Sequence, residues 1–326
     1  MRNPVAIVWP ILLALMLASP AAAEPYRAPR TPWGAPNLQG AWSSFSLTRL
    51  ERAPGVPAKI RPGDDLPAIE RNIFDHILPD DELGNKESEW WSMGHLARID
   101  GELRTSWITS TADGRIPYTA EGVARRNAAR ARAFADFDGP ESRNASERCL
   151  LPGFSAASPP MQNSPTAPGY TIVQTRDAVV IVSEANSEVR IIRLGGRHDR
   201  PGGPAWNGDS IGRWEKDTLV VDTVGFRPEE SFRAPILYIG PGAHVVERFT
   251  RTAKDQIRYA FTVEDPVNYR EPWSGDMVFR TLDSPIYESA CHEGNSSLAG
   301  ILSGARYVEA HPPQAVTTDA GHGARP

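Results

Sequence analysis

The chain has 326 residues, with 35 Lys and Arg against 40 Asp and Glu, which gives a formal net charge of −5 at pH 7. Both signs are interspersed, and this balance argues against binding of nucleic acid or of an anionic membrane. A hydrophobic fraction of 40% together with 30 Pro and 27 Gly indicates a globular protein with many turns rather than a helical bundle. The length allows one large domain or two smaller ones.

The first 23 residues have the features of a secretory signal peptide. Arg2 supplies a positive start, an apolar run follows, and Ala21-Ala22-Ala23 is a small-residue cleavage site. The apolar run is short for a membrane span and Pro10 interrupts it, and no later segment is apolar enough to span a bilayer. We therefore expect the mature chain to begin at Glu24 and to be periplasmic or secreted.

The only two cysteines are Cys149 and Cys291. An even pair in an exported protein most simply forms a disulfide. The alternative is a thiol nucleophile at Cys291, beside His292. An oxidising compartment and the presence of a second cysteine both favour the disulfide.

Residues 24–145 are predicted to form an extended and helical wrap around the rest of the protein. The predicted elements, in chain order, are an extended arm over 24–37, a first strand over 38–45, a helix around 67–77, a strand over 103–108 and a helix over 124–137. Thr119 is a favourable N-cap for the last of these helices.

Residues 146–305 are predicted to form an antiparallel β domain, because short runs alternate at period two or are β-branched. The predicted strands cover 170–175, 178–183, 188–194, 218–224, 244–251, 256–264, 276–281 and 285–291. Short connections such as Arg176-Asp177 require hairpins. The predicted fold class is therefore all-β dominated, an antiparallel barrel or rolled sheet that closes if the strand at Trp42 lies beside the last one. The segment 195–208 is long enough for a lid, and 306–326 is predicted to be a disordered tail.

The sequence contains no strong catalytic motif: no Gly-rich phosphate loop, no Gly-x-Ser-x-Gly, no His-Glu-x-x-His and no Cys-x-x-Cys. Seven histidines are scattered without the spacing of metal ligands. We therefore predict no metal and no cofactor.

The densest group of ionisable residues surrounds His292. Its neighbour Glu293 would face the opposite side of a strand, so His292 needs a partner from another strand to act as a general acid or base. The candidate partners are Glu247, Asp209, Arg213 and Asp222. Glu247 and Arg248 face opposite sides of their strand, so one of them should point into a barrel. The alternatives are a hydrogen-bonded histidine at a strand end and surface charges that form cross-strand ion pairs.

Aromatic side chains beside predicted loops are candidates for contact with a flat apolar ligand. The candidate ligand-binding residues are Trp206, Trp214 and Tyr287, with Asp222 and Glu293 as polar neighbours. Core packing is the alternative for the aromatic members of this set.

Two resemblances add to this interpretation. Gly40 and Trp42 form a Gly-x-Trp element that resembles the first strand of lipocalins and related calycin barrels, in which the Trp closes one end. The chain also resembles, over nearly its whole mature length, a large family of secreted bacterial proteins, and this resemblance implies no activity. The segments that carry it are 37–42, 146–149, 212–222, 247–251 and 287 with 291–294. Lys216 departs from that family, which commonly has Gly in this hairpin.

The sequence supports two functional hypotheses. The first is an exported barrel that binds a small apolar or aromatic molecule. The second is a cofactor-independent hydrolase, lyase or isomerase in which His292 moves a proton, Glu247 or Asp209 orients it and Arg213 stabilises an oxyanion. A third interpretation places the Arg-rich helix over 124–137 against a protein partner. The oligomeric state stays open.

Overall fold

The structure is a computed structural model that describes residues 26–76, 94–151, 157–163, 169–199, 203–227 and 237–312. Its strands are β1 (Gly40–Ser43), β2 (Arg98–Ile99), β3 (Glu102–Leu103), β4 (Gly169–Gln174), β5 (Ala178–Ser183), β6 (Val189–Leu194), β7 (Asp209–Glu215), β8 (Thr218–Val224), β9 (His244–Ala253), β10 (Gln256–Glu264) and β11 (Trp273–Thr281). Its α-helices are α1 (Leu66–Asp75), α2 (Ala120–Ala135) and α3 (Ser297–Ala310). The predicted signal peptide lies outside the described residues. None of the helices in the described ranges has the length and apolar character needed to cross a membrane.

Nine strands form a closed barrel in the order β1-β11-β10-β9-β8-β7-β6-β5-β4, and β1 closes it by pairing with β4. Trp42 on β1 lies opposite Thr281 of β11 on one side and Tyr170 of β4 on the other. The predicted all-β barrel is therefore confirmed, and so is the closure of the sheet by the strand at Trp42.

One strand pair is parallel, which the sequence did not indicate. Ile192 of β6 lies opposite Ser210 of β7, and the two strands run in the same direction. A parallel pair needs a long connection that returns the chain to the same end of the sheet. The chain between Leu194 and Asp209 makes this connection, although residues 200–202 of the predicted lid segment lie outside the described residues.

Two of the predicted strands are wrong. Residues 285–291 form no strand, because both edges of β11 are already paired, one with β10 and the other with β1. The prediction over 103–108 is wrong because β3 ends at Leu103. Residues 107–109 instead lie beside the first half of β11, on the edge that β1 leaves uncovered. There, the amide of Thr109 donates to the carbonyl of Ser274 at 2.9 Å.

The two predicted helices in the wrap are present with shifted bounds. The prediction over 67–77 corresponds to α1, and the prediction over 124–137 corresponds to α2, whose N-cap Thr119 accepts a hydrogen bond from the amide of Gly122 at 2.9 Å. The predicted tail over 306–326 is wrong at its start, because α3 continues through Ala310. Residues 313–326 lie outside the described residues.

The interior of the barrel is packed rather than hollow. Phe249, Tyr259 and Phe279 form an aromatic cluster whose ring centroids lie 4.9 to 6.3 Å apart. Residues 157–163 enter the barrel, where the amide of Met161 donates to the Tyr259 hydroxyl at 2.7 Å. A ligand therefore cannot occupy the centre of this barrel as it would occupy a hollow one.

The arm before β1 covers the end of the barrel that contains Trp42. The side chain of Gln174 accepts from the amide of Leu38 at 2.6 Å and donates to the carbonyl of Pro36 at 3.1 Å. Arg251 lies over the Trp42 ring, 5.2 Å from its centroid. In the hairpin beside this end, Lys216 has φ of 56°, a left-handed conformation that Gly adopts more readily than other residues.

Cys149 and Cys291 form a disulfide with their Cα atoms 5.6 Å apart, which confirms that prediction. The bridge joins the segment before β4 to the segment after β11. Because both sulfurs are bonded to each other, the alternative of a thiol nucleophile at Cys291 is wrong.

Candidate functional site

The structure does not bring together the four residues of the predicted catalytic group. Glu247 lies inside the barrel and is completely buried, whereas Asp209 and Arg213 lie on its outer face. His292 lies in an exposed turn next to the disulfide. Glu247 is therefore separated from the others by the barrel wall, and a mechanism that needs all four residues has no geometric support.

Glu247 instead forms a two-point ion pair with Arg190 inside the barrel. Arg190 Nη1 donates to Glu247 Oε1 at 2.9 Å, and Arg190 Nη2 contacts Glu247 Oε2. The Tyr259 hydroxyl donates to Glu247 Oε1 at 2.8 Å. Arg190 also donates to the hydroxyls of Ser210 and Thr223, which belong to the two strands between β6 and β9. Every strand from β6 to β10 thus contributes to one buried polar network.

Burial and neighbouring charge both shift the pKa values of groups in this network. Burial raises the pKa of Tyr259 far above its ordinary value, and the nearby charge of Glu247 adds to this effect. Burial alone would lower the pKa of Arg190, but the negative charge and hydrogen bonds of Glu247 outweigh it and the pKa is raised. Both groups therefore keep one protonation state at neutral pH, so the network is suited to hold the strands together rather than to transfer protons.

A second group of ionisable residues lies on the outer face of β7, β8, β9 and β10. We call it the acid–imidazole chain, and its members in order are Asp209, His198, Asp222, His244 and Glu264. His198 Nδ1 lies 3.3 Å from Asp209 Oδ2, and His198 Nε2 lies 2.9 Å from Asp222 Oδ1. His244 Nε2 lies 3.0 Å from Asp222 Oδ2, and its Nδ1 lies 3.8 Å from Glu264. The acid–imidazole chain connects the crossover segment to four strands, β7 to β10.

The hydrogen bonds of the acid–imidazole chain depend on the charge state of its members. An ionised carboxylate only accepts, so His198 makes both of its bonds at once only when both ring nitrogens carry hydrogen. Burial raises the pKa of Asp222, but the hydrogen bonds and charges of His244 and His198 outweigh burial and lower it overall. Because both nitrogens of His198 point at carboxylates, its contacts fix the position of the crossover segment.

Sequence reasoning identified Asp209 and Asp222 but missed His198 and His244. His244 stands at the start of a predicted strand, and the strand register places it opposite Glu264 on the outer face. His198 could not be assigned because it lies on the crossover segment, whose path depends on the parallel pairing of β6 with β7.

A cleft opens in the barrel wall beside the first half of β6. β7 begins to pair with β6 only at Ile192, so Val189 and Ile191 have no neighbouring strand on that side in the part of the chain that the structure describes. Their side chains are 53% and 59% exposed. The cleft has a volume of about 400 Å³. Its lining residues are Val189, Arg190, Ile191, Arg193 and residues 205–210. We call it the β6 cleft.

Trp206 forms one wall of the β6 cleft, and the Arg227 guanidinium lies 4.5 Å from the centroid of its ring. Of the predicted ligand-binding residues, Trp206 is the one that lines this cleft. Trp214 is partly buried against the core, and Asp222 belongs to the acid–imidazole chain. Tyr287 is 71% exposed and Glu293 is also exposed, and both lie on the segment after β11.

The described ranges contain no group of three or more His, Cys, Asp or Glu side chains arranged to hold a metal ion. The fold and the cleft define a class of structure, a closed β-barrel with a filled interior and a cleft in its wall. A search of known protein families finds none that matches the chain, and a search of curated proteins finds no match either. The resemblances to the secreted bacterial family and to calycin barrels therefore stay predictions.

Proposed function

We propose that this protein is an exported binding protein that holds a small apolar or aromatic molecule in the β6 cleft. The observation that carries the proposal is the pair of exposed side chains, Val189 and Ile191, in a cleft that also contains Trp206. Both side chains are branched, apolar and more than half exposed, so much of their apolar surface contacts water. A bound apolar molecule would remove that surface from water, which is favourable.

The dimensions and chemistry of the cleft support this proposal. A volume of about 400 Å³ falls within the usual range for small-molecule sites, which are mainly apolar with a few polar groups that fix orientation. Trp206 contributes an aromatic ring to one wall, and Arg193, Asn207 and Asp209 contribute polar groups at the edge. A planar, mainly apolar ligand with one polar substituent fits this combination.

The disulfide supports the exported part of the proposal, because such bridges persist in oxidising compartments such as the periplasm and the extracellular space. The resemblance to secreted bacterial proteins and the predicted signal peptide point in the same direction. The enzyme hypothesis receives no comparable support, since its four residues lie on both sides of the barrel wall.

The proposal is tested by titrating the purified protein with N-phenyl-1-naphthylamine, a neutral aromatic probe whose fluorescence rises in apolar surroundings. We expect saturable binding that weakens about tenfold in Ile191→Ser, because the substitution removes most of the apolar surface of one wall. Since Ile191 is exposed, the variant should keep the stability of the original protein.

Val173→Ser is the matched control. Val173 is 43% exposed on the outer face of β4 and does not line the cleft. The control should bind the probe as the original protein does. Absence of saturable binding, or equal loss in both variants, would overturn the proposal.

A further inference from the structure

A second cavity lies in the N-terminal wrap, away from the β6 cleft. It has a volume of about 600 Å³, and the residues that line it are Arg52, residues 58–62, Arg98, residues 101–106, Ile108, Thr109 and Thr111. Five of its lining side chains are cationic: Arg52, Lys59, Arg61, Arg98 and Arg104. Among the described residues that line it, Glu102 is the one acidic residue. We call this cavity the basic pocket.

This concentration of positive charge contrasts with the rest of the protein. The whole chain has a formal net charge of −5, whereas the lining of the basic pocket combines five cations with a single carboxylate. Like charges that share a concave surface repel one another, and low-dielectric walls strengthen that repulsion. An anion between the cations would reduce this repulsion.

Four of the five cations make no direct ion pair with another described residue, although Asp113 acts on Arg52 at longer range. Within the described ranges, Arg52, Lys59, Arg61 and Arg98 form no ion pair with a carboxylate. By contrast, most of the arginines on the barrel strands do form one, as Arg258 does with Asp276 at 2.6 Å. The pocket therefore differs from an ordinary surface on which both signs alternate.

Two arginines of the pocket are held in place by the protein itself. Arg52 donates from Nε to the Thr105 hydroxyl at 3.2 Å and from Nη1 to the carbonyl of Ala112 at 3.1 Å. Arg104 is 22% exposed, and its Nη2 lies 3.3 Å from Asp276, while its Nε is buried without a hydrogen-bond partner in the described structure. Such fixed guanidinium groups lose little conformational entropy when they bind an anion.

The pKa of Arg52 is lowered in this position. Burial lowers its pKa, the nearby carboxylate of Asp113 opposes that effect, and the positive charge of Arg115 adds to it. The charged form of Arg52 is therefore less favourable here than in water. A bound anion would reverse this effect by favouring the charged form.

From these observations we infer that the basic pocket is a binding site for a compact polyanion, a small molecule that carries two or more phosphate or carboxylate groups. Guanidinium groups pair with both kinds of group through two parallel hydrogen bonds, and several cations around one cavity favour a ligand with more than one negative charge. This site is separate from the β6 cleft, so the inference does not depend on the proposed function.

The test is isothermal titration of the purified protein with pyrophosphate and, separately, with citrate, at constant ionic strength set by sodium chloride. We expect saturable binding of at least one of the two probes. Lys59→Gln/Arg61→Gln should weaken it by about tenfold or more, because both side chains are exposed and can be changed without loss of internal contacts. Binding of pyrophosphate alone would identify phosphate ligands, and binding of citrate would identify polycarboxylates.

Lys254→Gln/Arg270→Gln is the matched control, because it removes two exposed cations that do not line the pocket. It should leave the affinity unchanged, whereas Glu102→Gln should tighten binding by removing the opposing carboxylate. Failure of both probes to saturate, or equal weakening in the two double variants, would overturn the inference. Binding of N-phenyl-1-naphthylamine should be the same in all three variants, which separates this site from the β6 cleft.

Discussion

The guanidinium of Arg190 on β6 forms a two-point ion pair with the carboxylate of Glu247 on β9, across the inside of the barrel. Two strands, β7 and β8, lie between these residues in the wall. The pair therefore connects strands that share no backbone hydrogen bonds, and it does so beside the parallel join of β6 and β7. We infer that this contact helps to fix the position of β6, whose first half pairs with β5 and, among the described residues, with no strand on its other side.

The first prediction concerns the loss of one member of this pair. Glu247→Gln leaves the charge of Arg190 buried without a counterion, which should reduce the free energy of unfolding by about 3 to 5 kcal/mol. The measurement is urea unfolding followed by circular dichroism. The double variant Arg190→Met/Glu247→Met should be more stable than Glu247→Gln, because it leaves no unpaired charge. A loss below about 1 kcal/mol in Glu247→Gln would contradict a role of the pair in stability.

The second prediction concerns the disulfide. The bridge spans a sequence separation of 142 residues. The double variant Cys149→Ser/Cys291→Ser should lose on the order of 4 to 5 kcal/mol, because the unfolded chain regains the freedom that closure of this long loop removes. Thermal unfolding with and without a reductant measures the effect. The reductant should lower the melting temperature of the original protein and leave that of the double variant unchanged; equal responses would contradict the prediction.

The third prediction concerns the pH dependence of the acid–imidazole chain. The pKa of Asp222 is lowered in the folded state, so its contribution to stability is fully present above its ordinary value and is lost as the pH falls through the lower folded value. The difference in unfolding free energy between the original protein and Asp222→Asn should therefore shrink as the pH falls from about 5 to about 2.5.

Asp283→Asn serves as the control for that experiment, because Asp283 is exposed and lies outside the chain. Its effect on stability should be small. Arg193 also lies against Asp209, with Nη2 at 2.9 Å from Oδ1, so Asp209 keeps a partner when Asp222 is changed. A difference for Asp222→Asn that grows in acid would contradict the assigned direction.

The fourth prediction concerns His292. Its side chain is exposed in the turn beside the disulfide and is separated from Glu247 by the barrel wall. His292→Ala should therefore change the unfolding free energy by no more than about 0.5 kcal/mol. His198→Ala should cost more, because it removes the contacts to both Asp209 and Asp222. Urea unfolding of both variants makes the comparison, and a larger loss in His292→Ala would be inconsistent with the structure.

Several elements were predictable from local sequence because one local rule determines each of them. Strand β10 follows from the alternation of Ile257, Tyr259 and Phe261 with polar residues, and the start of α2 follows from the cap at Thr119. The strand predicted over 285–291 is absent although the composition of this segment suits a strand. A strand also needs an open sheet edge, and closure of the barrel at Trp42 leaves none beside β11.

The four residues of the predicted catalytic group do not come together, for a related reason. Period-two alternation indicates that Glu247 and Arg248 face opposite sides of a strand, but it does not indicate which side faces inward. Only the closed sheet decides that Glu247 is inside and that Asp209 is outside. The missed partner of Asp209 and Asp222 was His198, and its position depends on a crossover that local patterns do not specify.

The sequence by itself determined the β-rich class, the strands with clear alternation and the pairing of the two cysteines, because composition, periodicity and count are properties of the chain alone. The tertiary structure decided the parallel join of β6 and β7, the filled interior, the acid–imidazole chain and the two cavities. Each of these depends on contacts between residues far apart in sequence, such as Arg190 with Glu247, and such contacts exist only once the barrel has closed.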